Sequence, residues 1–147
     1  MICTVVTMGH CKYCDKNLHA RNAQYCDNQC QANYAYKQYI EQWKGKLVSG
    51  NRGKQSLNIS GHVIRYIKSK YNNSCAQCGW AQINQFSLTS PLEINHIDGN
   101  AHNTTEANLI LLCPNCHSLT NTHKNLNKGY GRLSRTKKYG IMEDMPL

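Results

Sequence analysis

Eight of the nine cysteines in this chain stand in close pairs, and the pairs form two tetrads. Cys11 and Cys14 are followed after eleven residues by Cys26 and Cys30, and Cys75 and Cys78 are followed after thirty-four by Cys113 and Cys116. Two residues between thiolates let a tight turn aim both sulfurs at one ion, and two such turns complete a tetrahedron. The spacing therefore predicts two structural Zn²⁺ sites, with His10 or His19 as alternative ligands in the first. Cys3 is left over as an ordinary free thiol. A second kind of chemistry sits inside the second tetrad. In "EINHIDGN" the residues Leu92, Ile94 and His96 alternate as one face of a strand, and His117 directly follows the last cysteine. Two imidazoles of this kind suit proton transfer or a divalent cation.

The elements that must position these residues can be read from periodicity and caps. Ala32, Tyr36, Tyr39, Ile40 and Trp43 recur at helical spacing, predicting a helix over Gln31 to Lys44 that Gly45 ends. Its aromatic stripe reads as a packing face. Ser60 caps a second helix, Gly61 to Tyr71, which Asn72 and Asn73 break. Strands are expected over Leu92 to Ile97 and Asn108 to Leu112, joined by an Asn/Thr-rich loop. Pro114 starts a helix that carries His117. His123 lies six residues on, about 240° around the helix, so it cannot share one ion with His117 from a single face and reads as a phosphate contact rather than a metal ligand. Together these make a small α+β, zinc-stabilised chain. The expected parts are a finger and helix over 1–45, a flexible basic linker over 46–59, a catalytic module over 60–128 and a basic tail over 129–147.

His96, Asn108 and His117, with "CGW", "NHIDGN" and "NLILLCPNCHSLT", resemble the signature of the HNH endonucleases, which have a ββα-metal fold. The variant resembled is braced by two CxxC pairs. More broadly, residues 11–135 are similar to phage and bacterial HNH proteins with an extra amino-terminal four-cysteine finger. The resemblance implies a DNA phosphodiester hydrolase that leaves 3′-hydroxyl and 5′-phosphate ends and uses one Mg²⁺ or Mn²⁺. His96 would be the general base, Asn108 would orient the loop and the base, and His117 would bind the metal with Asn95. An amide oxygen at Asn95 adds no charge to that site. A catalytically weak or inactive zinc-stabilised DNA-binding protein is therefore the alternative reading.

Charge distribution points to the same partner. The formal net charge of +9 becomes about +5 with two four-thiolate zinc sites. From Ala32 to Asn72 there are eight Lys/Arg against Glu41 alone, whereas Asn73 to Thr120 holds none. The candidate DNA contacts are Arg52, Lys54, Arg65, Lys68 and Lys70 on one side and Lys124, Lys128, Arg132 and Arg135 on the other. Five or six phosphate contacts would give a log K against log salt slope of about −4 to −5. There is no run of 18 apolar residues and nothing like a secretory signal. The expectation is a cytoplasmic protein, in a bacterial cell or phage-infected host, acting as a monomer or homodimer; a single site of this kind cuts one strand.

Overall fold

The computed structural model describes residues 9–18, 23–53 and 56–127. Helix α1 runs Asn28–Lys44, starting three residues before the sequence-based boundary because Asp27 caps it, its carboxylate accepting from Cys30 N–H at 2.6 Å. Gly45 closes the helix with its N–H on Glu41 O, at 2.9 Å. Helix α2 runs Gly61–Lys70, with Ser60 Oγ accepting from Val63 N–H. Each helix buries one stripe, Ile40 and Trp43 on α1 and Val63 and Ile67 on α2.

Strands β1, Glu93–His96, and β2, Leu109–Leu112, pair antiparallel with Glu93 opposite Leu112 and His96 opposite Leu109. A single 3₁₀ turn, Glu106–Asn108, feeds β2, so Asn108 precedes the strand rather than opening it. Helix α3 is one short piece, Pro114–Ser118. Two four-residue strands are marginal alone in water. Packing supplies the difference: Ile40, Trp43, Val63 and Ile67 share one core with Leu92, Leu109, Leu111, Leu112 and the cysteines Cys75, Cys113 and Cys116. Complete burial of side chains such as Ile67 and Leu111 contributes about 1.5–3 kcal/mol each. The cysteine turn is also sewn to the sheet, since Ala76 N–H donates to Leu111 O at 2.8 Å.

The segment joining the helices closes on itself. Arg52 N–H donates to Asn58 O at 2.7 Å and Ser60 N–H to Gly50 O at 2.9 Å. Gly50 has φ +77°, and a Cβ there would stand 2.5 Å from Trp43 Nε1. Only glycine fits that close approach. Trp43 Nε1 instead donates to Thr104 O at 2.7 Å, tying α1 to the loop between the strands. Among the described residues no helix is long and apolar enough to cross a membrane.

Candidate active site

The two cysteine tetrads converge as a tetrahedral metal site requires. Within each, the four sulfurs lie within 4.8 Å of one another. Cys78 and Cys113 Sγ are 3.8 Å apart, as are Cys14 and Cys30. The edge of a tetrahedron with Zn–S bonds of about 2.3 Å is also about 3.8 Å. Burial would raise the Cys11 thiol, but the backbone N–H groups around it, led by that of Cys14, win and bring it down to about 6. Cys75 likewise falls to about 6, with the N–H groups of Cys113, Cys78 and Gln77 overcoming its burial. Their neighbours resist ionisation: Cys30 is pushed up to about 12 by burial and by the Cys14 sulfur, and Cys116 to about 12 chiefly by the Cys78 sulfur. Four thiols at this distance cannot all ionise without a cation among them, so the donor set fits a dication.

The loop between the strands is built around Asn108. Its side chain is buried, its Oδ1 accepts from Asp98 N–H at 3.0 Å, and its Nδ2 donates to Asp98 Oδ1 and Asn103 O, each at 2.8 Å. Asp98 also accepts from Asn103 Nδ2 and Asn100 N–H. Burial works against its charge, but these donors outweigh it and hold the carboxyl below its ordinary range. His96 Nε2 lies 3.3 Å from Thr104 Oγ1, which donates its one proton to Asn51 Oδ1 at 2.8 Å. The same hydroxyl also lies 3.4 Å from Ala101 O, so Thr104 links the His96 ring to the loop and to Asn51.

Successive strand residues point to opposite sides and paired residues to the same side. His117 Nδ1 lies 2.5 Å from Glu93 Oε2, so α3 covers the side that Glu93 and Asn95 face. Ile94 and His96 face the other side with their partners Leu111 and Leu109, which share the core with Val63 and Ile67 of α2. The structure thus brings Asn95 and His117 to one side of the ribbon and sets His96 at the end of β1 on the other.

Two neighbours of His117 escaped the sequence reading. Glu93 was legible in principle, because period two puts it on the Asn95 face. His123 was placed away from His117 on the premise of a continuous helix. Instead α3 stops at Ser118, and Thr120 Oγ1 donates to His117 O at 2.9 Å. The chain turns back, and the two imidazoles meet edge-on with centroids 5.0 Å apart. His123 Nδ1 is buried without a hydrogen-bond partner among the described residues, an uncommon state for a polar atom. His117 and Asn95 offer an imidazole nitrogen and an amide oxygen, donors that suit a divalent cation, while Glu93 engages His117 Nδ1. Among the described residues only the tetrads bring three or more cysteine, histidine or acidic ligands together.

Of the candidate DNA contacts, Arg52, Arg65, Lys70 and Lys124 are exposed and Lys68 is half-buried. Lys70 is partly compensated by Glu106 at 3.2 Å. Lys54, Lys128, Arg132 and Arg135 lie outside the described residues, as does His19.

The HNH endonuclease family matches residues 75–123. The chain is also similar to the H-N-H endonuclease F-TflIV of Escherichia phage T5, with 46% identity over 57 residues, 39% of this chain. The match spans only 24% of that relative's length. No solved structure gave a significant match. Family match and geometry coincide on one segment: residues 75–123, with the second tetrad, the hairpin and α3, are an HNH endonuclease domain.

Proposed function

We propose that the chain is a metal-dependent DNA endonuclease in which His96 is the general base and Asn95 and His117 hold one Mg²⁺ or Mn²⁺. The observation that carries this reading is the placement of His96 and Asn95 on opposite sides of the end of β1, with His117 on the Asn95 side. In-line hydrolysis puts the attacking and leaving oxygens on opposite sides of phosphorus, so base and cation are needed on opposite sides. The ion would neutralise charge on the phosphate and the leaving oxygen. His96 takes the proton of the attacking water, with its ring steadied by Thr104. Glu93 receives Nδ1–H of His117, which fixes the ring and would leave Nε2 to hold the ion. Asn108 holds the Asp98 loop so that the ribbon end keeps its shape.

The test is nicking of supercoiled plasmid with Mg²⁺ or Mn²⁺ beside His96→Ala. The wild type should nick and the variant should fall by about 10²–10⁴-fold. Equal activity of the two would overturn the assignment of His96. Binding without cleavage by the wild type would favour a DNA-binding protein with an inactive core.

A further inference from the structure

The HNH segment has a cationic deficit: no Lys or Arg occurs from Asn73 to His123. Away from it, between α1 and α2, lies a cavity of about 410 Å³. Tyr13 of the finger, Lys37, Ile40 and Lys44 of α1, and Arg65 and Tyr66 of α2 line it, and Glu41 is the one acid in its wall. Three cations thus face one carboxylate across an apolar floor, where Ile40 is 8% exposed.

Two of those cations are held in place. The Arg65 guanidinium sits 4.2 Å above the Tyr36 ring, and the Lys44 ammonium 4.3 Å above Tyr66. The same rings are engaged elsewhere, Tyr36 tilted against His62 at 5.7 Å and Tyr66 edge-on to Trp43 at 5.6 Å. They therefore serve as supports for cations and not as platforms for stacking bases. A pre-positioned cation loses less side-chain freedom on meeting an anion than a free one does. Lys44 is partly offset by Glu106 at 3.4 Å, which leaves Lys37 and Arg65 as the stronger pair.

We propose that the α1–α2 cavity is a second DNA-binding site, separate from the HNH domain, which takes backbone phosphates on Lys37 and Arg65 with Lys44 as a weaker third contact. This rests on the reading of the chain as a DNA enzyme. Its charge complements a polyanion to which the HNH segment offers no Lys or Arg. Contacts of this kind position the protein on the duplex without reading sequence.

The experiment is duplex DNA binding by fluorescence anisotropy at several salt concentrations, without added divalent metal. It compares the wild type with Lys37→Gln and with Lys37→Gln/Arg65→Gln. Each lost phosphate contact removes about 0.9 from the slope of log K against log salt, so the double variant should be shallower by about 1.8 and Lys37→Gln by about 0.9. Zinc content and thermal midpoint report folding; Lys37 is exposed, so the single variant decides if the double one misfolds. Unchanged slopes in a wild type that nicks plasmid overturn this site alone. A wild type that neither binds nor nicks DNA overturns the endonuclease reading, and this site with it.

Discussion

Replacing Asn108 by alanine separates a residue that shapes the loop from one that touches substrate. The substitution deletes three hydrogen bonds, two with Asp98 and one with Asn103 O. Net values are about 1 kcal/mol for each neutral bond and about 1.5–3 for the one to the carboxylate, or roughly 3–5 kcal/mol in all. Asp98 is exposed and regains water, which lowers the expected loss to about 2–3 kcal/mol. The loss is local. Asp98 N–H bonds the deleted side chain, whereas Ile97 N–H bonds Asn108 O, a backbone atom the substitution leaves in place. Hydrogen exchange at the Asp98 amide should therefore accelerate by about 30- to 160-fold, given that about 1.36 kcal/mol is tenfold. The Ile97 amide should change far less, and nicking should fall with the loss of loop order. Lost nicking with Asp98 exchange unaltered would refute the loop-orienting role and make Asn108 a substrate or metal contact.

Four further outcomes follow from the geometry. Glu93→Ala removes the partner of His117 Nδ1, so Mn²⁺ affinity measured by calorimetry should drop about 10- to 100-fold; an unchanged affinity rejects Glu93 as the residue that sets the ring. Denaturing the protein with a colorimetric chelator present should release two Zn²⁺ per chain, and stripping the metal from the folded protein should melt the hairpin, because the second tetrad supplies Cys75, Cys113 and Cys116 to the core. The Tyr66 hydroxyl, then Lys70 and Lys44, hold the Glu106 carboxyl below its ordinary value against its burial. A depressed folded-state carboxylate adds stability above the unfolded pKa and loses it as pH falls through the folded value. The urea-midpoint gap between wild type and Glu106→Gln should then narrow as pH is lowered beneath about 4.5, and a gap that widens contradicts the ion pairs. Gly50→Ala combines a positive φ with a clash on Trp43 and should cost about 2–4 kcal/mol in urea unfolding; a cost under about 0.5 would show that the Trp43–Thr104 clamp yields easily.

Much of the frame was legible because it is written in short-range spacing. A CxxC turn, a Ser60 cap and the alternation Leu92, Ile94, His96 each depend on neighbours a few residues apart, and all three appear in the structure. The same locality explains the missed start of α1, where Asp27 lies inside a metal knuckle and yet accepts the Cys30 N–H as a cap. Other features depended on where the chain goes after it leaves an element. His123 reaches His117 only because α3 ends at Ser118, and helical arithmetic carried past that end points the wrong way. Thr104 meets His96 only because Trp43, sixty-one residues earlier, holds its carbonyl. The α1–α2 cavity likewise needs two helices and the finger to meet, with Arg65 and Lys44 settled on aromatic rings. Sequence by itself determined the two cysteine tetrads, the elements and the family match of this segment, since covalent spacing dictates them. Which side chains surround His96 and His117 was decided by tertiary packing, because contacts between distant residues exist only once the shared core has brought them together.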